Sequence, residues 1–164
     1  MDESKALVVF QDKNIRRAWF NEEWWFVISD VVTVLTDSVN PADYLKKLRK
    51  RDELLGDAFK VGGQLVPPLG IEFDTAAGRQ MLQCWNTKGI LRLVQSIPTT
   101  KAEPLKQWLA QVGYERIQEI ENPELATKRT RLLYKLKGYS DDWIEKRMRG
   151  IAIREELTDE WQKR

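Results

Sequence analysis

The sequence predicts an α+β fold: small antiparallel β-hairpins packed with helices, including a helix–turn–helix-like pair, followed by an all-helical C-terminal extension. Short β-branched and aromatic runs alternate around turn residues in the first half of the chain. Apolar residues then recur at three- and four-residue spacing behind recognisable helix caps. Beyond "ENPELA" only helical patterning and a basic bias remain, which sets the expected modules at 1–121 and 122–164.

In chain order, "ALVVF" (6–10) reads as a short strand. "NIRRAWF" and "WWFVI" read as a hairpin around Asn21-Glu22-Glu23. On such a strand Trp24, Phe26 and Ile28 face one way, and Trp25 and Val27 the other. Both faces are apolar, which points to a covered central strand. A base-stacking platform needs interleaved cations, and only Arg16 and Arg17 on the partner strand are near. Ser29 or Asp30 is the expected cap of a helix whose Ile28, Val31, Val32 and Leu35 share one face. "TDSVNP" ends it. Asn40 then caps a second helix, with Pro41 at its first position, running to about Arg51. This helix is expected to bury Tyr44, Leu45 and Leu48, with Asp43, Lys46, Lys47 and Lys50 opposite.

"FKVGGQLVPPL" predicts a Gly-Gly hairpin whose second strand Pro67-Pro68 keeps at an edge. "GIEFDTAAGRQMLQCW" adds strand around a turn at Ala76–Gly78. "NTKGILRLVQSIP" is a helix capped by Asn86 or Thr87, burying Ile90, Leu93, Val94 and Ile97 and stopped by Pro98. Thr100 and Glu103 form a T-x-x-E capping box for the next helix, with Pro104 in its first turn. Its apolar face is Leu105, Trp108, Leu109 and Val112. "LATKRTRLLYKLKGY" brings Leu125, Leu132, Leu133 and Leu136 together and stops at Gly138. Ser140 caps the last helix ahead of Asp141 and Asp142. "DEWQKR" carries no helix stop, so the natural protein is expected to continue past it.

Composition narrows the chemistry. The 164 residues are 42% apolar and 32% charged, as in a soluble globular protein. No apolar run reaches the roughly 18 residues of a membrane span, and no secretory leader is visible. The single cysteine, Cys84, precludes an internal disulfide and fits the reducing cytoplasm; it reads as a packed core thiol. Histidine is absent, which removes Ser-His-Asp and Cys-His catalysis and any Cys/His zinc site. The acidic doublets Glu22-Glu23, Asp52-Glu53 and Asp141-Asp142 point in diverging directions, unlike the converging carboxylates of a metal nuclease. Glu72 and Asp74 share a strand face but are only two carboxylates. No catalytic residue, cofactor or metal site is expected.

Net charge is only +2, but it is unevenly spread. "KKLRKR" (46–51) holds five bases and no acid. Lys46, Lys47, Arg49, Lys50 and Arg51 are therefore the expected DNA-binding residues, gripping phosphate, with Arg49 or Arg51 positioned to read guanine edges. Residues 128–154 hold nine Lys/Arg against three acids. There Lys128, Arg129, Arg131, Lys146, Arg147 and Arg149 form a secondary basic patch, suited either to DNA or to the acids of a partner.

"WFVISDVVTVL", followed by an "NP" turn and a basic helix, resembles the start of a Bro-N domain, the N-terminal module of baculovirus Bro proteins and prophage antirepressors. "NTKGILRLVQSIPTTKAEPLKQWLAQVGYERIQEIENPELA" is similar to the second half of that module, above all in the bacterial subgroup that includes DNA damage-inducible protein D. "GYSDDWIEKRMRGIAIREELTDEW" resembles the segment that follows the module in that subgroup. The chain departs from the pattern at "TDSV", which replaces the usual aromatic-containing turn. The resemblance implies a non-enzymatic DNA-binding regulator of prophage antirepressor type, with DNA as partner. The alternative it implies is a protein-interaction module binding a repressor or the bacterial recombinase in the DNA-damage response.

Overall fold

The computed structural model describes residues 14–163, so the strand expected at "ALVVF" lies outside the described residues. The chain divides into two compact units, the first running to Gln111 and the second starting at Val112.

The first unit is built on an antiparallel sheet of four strands, β1 (Arg17–Phe20), β2 (Glu23–Val27), β3 (Leu69–Thr75) and β4 (Gly78–Asn86), in the order β1-β2-β4-β3. Asn21 and Glu22 both take positive φ, 50° and 61°, as a two-residue type I′ turn requires. That turn sets the register Trp19↔Trp24 and Arg17↔Phe26. Gly78, at φ 99°, turns β3 into β4. The central strands bury Trp25, Phe26 and Val27 beside Cys84 and Trp85.

Helix α1 (Ile28–Thr36) follows β2 without a loop. Ile28, Val31, Val32 and Leu35 are buried, as their spacing predicts. The cap differs from expectation: Val27 stands at the N-cap position and offers no side-chain bond. Asp30 is engaged elsewhere. Its carboxylate accepts from the Arg16 backbone N–H at 3.0 Å and from Nε and Nη2 at 2.7 Å each. Ile28 accordingly opens the helix instead of closing the strand. Helix α2 (Pro41–Arg51) starts as expected, with Asn40 Oδ1 accepting the Asp43 N–H at 3.1 Å and Pro41 at the first position.

The Gly-Gly hairpin does not form. "DELLGDA" instead makes a short helix, α3 (Glu53–Ala58), capped by Asp52 Oδ1 on the Leu55 N–H at 3.0 Å. Residues 59–68 pass as turns and bends to β3. Two contacts hold this segment across the sheet and keep it from pairing with itself. Phe59 meets Trp85 edge-on at 4.6 Å, and Trp85 Nε1 donates to the Val66 carbonyl at 2.7 Å.

Helix α4 (Thr87–Ser96) is capped by Asn86, whose Oδ1 accepts the Gly89 N–H at 2.9 Å. Its Ile90, Leu93 and Val94 are buried, with Ile97 just beyond. Gly89 is required here because a Cβ would fall 2.2 Å from the Trp85 ring. Helix α5 (Glu103–Glu121) begins in a backbone-closed turn, the Glu103 N–H donating to the Thr100 carbonyl at 3.3 Å. Leu105 is buried and Trp108 packs on the core, while Val112, expected on the same face, is exposed.

The second unit holds the end of α5 with α6 (Glu124–Leu136) and α7 (Asp141–Gln162). Gly138 takes φ 87° between α6 and α7, and Ser140 Oγ accepts the Trp143 N–H at 3.3 Å. Tyr139 stacks on Trp143 at 4.1 Å, with Tyr134 edge-on to both. Leu132, Leu133 and Leu136 remain largely exposed, so the expected leucine face is not a core. Among the described residues no helix is long and apolar enough to cross a membrane.

Candidate nucleic-acid interface

Helix α2 carries five cations and one acid, Asp43. Tyr44, Leu45 and Leu48 turn inward, so the cations share the remaining arc. They do not share it equally. Lys47 Nζ lies 2.7 Å from Asp43 one turn back, and Arg51 follows along the same side. Lys46, Arg49 and Lys50 occupy the neighbouring side and line an open cleft against α3, with Glu53, Asp57 and Lys60 across it. Among the described residues, no acid pairs with Lys46, Arg49, Lys50 or Arg51.

Arg49 is fixed. Its guanidinium lies 4.3 Å above the Phe59 ring, and the residue is half-buried. Its Nε is buried without a hydrogen-bond partner among the described residues. Through Phe59 and Trp85 the arginine is anchored to the sheet, whereas Lys46, Lys47, Lys50 and Arg51 are exposed.

Asp52 joins α2 to α3 and α4. Beyond capping α3, it accepts from Ser96 Oγ at 2.5 Å and from Arg92 Nη2 at 3.2 Å. The Ser96 hydroxyl, the Leu55 N–H and Arg92 hold its carboxyl down at about 2. This cap fixes where α2 ends, and so how its last turn presents Arg49, Lys50 and Arg51.

The secondary basic patch separates into two groups. Arg129 forks onto the buried Glu119 of α5, which Arg116 also approaches, at 3.3 Å. The Arg129 bond, above all, holds the Glu119 carboxyl below its ordinary range. Arg131 reaches Glu145 at 3.4 Å. Lys128, Lys146, Arg147 and Arg149 are exposed and have no ion-pair partner among the described residues.

The aromatic triplet is not uniformly core. Trp25 and Phe26 are buried, but Trp24 is 39% exposed. Trp19 meets it edge-on at 5.2 Å, and the Arg17 guanidinium lies 4.4 Å over its ring. Trp24 sits toward the hairpin tip, beyond the part of the strand that the packed elements cover. Several of the acidic groups have structural partners. Glu23 accepts from Asn86 Nδ2 at 3.2 Å. Glu72 and Asp74 share a strand face as expected and flank Arg79, at 3.8 and 3.2 Å. Cys84 is fully buried, and burial pushes its thiol up to about 11. Lys60 is the cleft residue that sequence reasoning missed: no helical spacing connects it to α2, and only the turn at Phe59 brings it there.

A family model described as "BRO family, N-terminal domain" matches residues 14–115. No curated protein and no solved structure matches the chain.

Proposed function

The chain belongs to the BRO family through its N-terminal domain, and from that premise we propose that it is a non-enzymatic, cytoplasmic DNA-binding regulator of prophage antirepressor type. The family is associated with prophage and viral DNA-binding regulators of this kind. In this reading α2 is the DNA-contacting helix of a helix–turn–helix-like pair, braced by α1, and Lys46, Lys47, Arg49, Lys50 and Arg51 supply the charge. The observation that carries the reading is the row of Lys46, Arg49 and Lys50 on one side of a capped helix, without acid partners among the described residues. A lysine already held in an ion pair adds little when phosphate arrives, whereas an unpaired one displaces condensed counterions. Replacing Lys46, Lys47 and Lys50 with Ala is expected to weaken binding to duplex DNA and to lower the slope of log K against log salt by roughly two, since Lys47 is already paired with Asp43. An affinity and slope equal to those of the unaltered protein would reject the assignment.

A second reading is favoured by a separate feature. Ile153, Leu157 and Trp161 recur every four residues on α7 and are all largely exposed, Trp161 at 80%. Together with the resemblance to the DNA damage-inducible protein D subgroup, this suits a protein-interaction module binding a repressor or the bacterial recombinase. Co-elution of the chain with purified recombinase after nuclease treatment, abolished by Trp161→Ala, is the expected result. Separate elution rejects that partner.

A further inference from the structure

We propose that the cleft between α2 and α3 seats one DNA backbone phosphate, that Lys60 completes the cations begun by Lys46, Arg49 and Lys50, and that Asp57 competes with the phosphate for Lys60. The inference rests on the DNA-binding reading and adds to it a residue from outside the basic helix and a built-in brake.

The cleft is made by a close approach of two short elements. A Cβ on Gly56 would stand 3.0 Å from the Arg49 carbonyl oxygen, so the α3 wall at that point is bare backbone. Arg49 is clamped on Phe59 and cannot swing away as a free lysine does. Lys46 and Lys50, one turn apart, form the rim on the α2 side, and Lys60 faces them beyond α3. Four cations thus surround a space that holds two acids, Glu53 and Asp57. Lys60 Nζ is bound to Asp57 Oδ1 at 2.7 Å, with both side chains largely exposed.

That pairing decides what the cleft can do. An exposed ion pair of this kind is weak, and a phosphodiester oxygen can replace the carboxylate at small cost. Arg49 meanwhile has no anionic partner among the described residues, and a phosphate would be its first. The cleft is open along α2, whose exposed arc continues into Lys47 and Arg51. An open seat beside a further run of cations matches one phosphate within a chain of phosphates better than an isolated anion.

The test titrates mixed-sequence duplex DNA into the full chain and three variants. Lys60→Ala is expected to weaken binding roughly two- to fivefold, and Asp57→Asn to tighten it by a similar factor, as removal of one weak ion-pair competitor predicts. If Lys46→Ala with Lys50→Ala weakens binding while the Lys60 and Asp57 variants match the unaltered protein, the seat is overturned and the DNA-binding reading stands. If all the variants bind as the unaltered protein does, both are overturned. Inorganic phosphate distinguishes the source. The Lys60 backbone amide resonance should move with duplex DNA and not saturate with inorganic phosphate. Saturation by inorganic phosphate, with no response to duplex, would overturn the assignment to DNA.

Discussion

Each unit of the chain sets one multiply bonded carboxylate beside a basic helix, and the two carboxylates dispose of their neighbouring cations in opposite ways. In the first unit Asp52 draws its cation from α4, through Arg92, and leaves the cations of α2 without an acid apart from Lys47. In the second, Glu119 takes Arg129 from within the basic helix itself, and Glu145 takes Arg131. Counting charges along the sequence makes the two regions look alike. Their geometry makes the first an available surface and the second partly an internal scaffold.

The widest separation between the regions is expected in DNA affinity. Lys46→Ala with Lys50→Ala should weaken duplex binding tenfold or more, on the order of 1 kcal/mol per phosphate contact, and lower the salt slope by about two. Arg129→Ala should leave affinity and slope where they were. Fluorescence anisotropy at two salt concentrations measures both, and a larger loss for Arg129→Ala breaks the comparison.

Stability should respond in reverse. Arg129→Ala leaves the buried Glu119 with Arg116 as its remaining cation and is expected to lower the thermal midpoint by a few degrees, whereas Lys128→Ala one residue earlier should not move it. Calorimetry of the two variants side by side checks this.

Asp52 provides a pH signature. Its carboxyl sits at about 2 in the folded chain, below the ordinary value of 3.8. A depressed carboxylate contributes stability above its unfolded value and loses it as pH falls. The contribution should be complete above about pH 4 and fade toward pH 2. Asn can still cap α3, so Asp52→Asn should flatten this acid limb while keeping the helix start. Asp52→Ala should in addition cost about 1 kcal/mol at neutral pH, read from denaturant unfolding.

The smallest effect belongs to the Asp43–Lys47 pair. Asp43→Ala should cost only about 0.3–0.5 kcal/mol of stability, as exposed pairs one turn apart do. It should also release Lys47 and tighten DNA binding slightly. A large loss of stability would mean that Lys47 is structural after all.

Much of this arrangement is legible in the sequence. Alternation in "WWFVI", the Asn40-Pro41 start and the spacing in "NTKGILRLVQSIP" specify their elements through contacts a few residues long. The misses depend on longer ones. Helix α3 lies outside every expected element, and at its Gly56 a Cβ would stand 3.0 Å from the Arg49 carbonyl oxygen, a closeness that no local spacing announces. The glycines at 62–63 look like a hairpin, yet Phe59 and Val66 are tied to Trp85, about twenty residues on. Asp30 looks like a cap and is taken by Arg16, fourteen residues earlier. The charge of α2 is plain in "KKLRKR", but its division into a paired and an unpaired side, and its extension to Lys60, depend on what α3 places opposite it.

The cross-strand tryptophans have an optical consequence. Two indoles with centroids 5.2 Å apart and planes at 74° couple their electronic transitions. The hairpin therefore carries its own chiroptical reporter: an exciton couplet in circular dichroism that depends on the Trp19–Trp24 register and vanishes in Trp19→Phe. It follows the integrity of β1–β2 without any label, and the difference between the unaltered chain and Trp19→Phe isolates it from the other ring pairs.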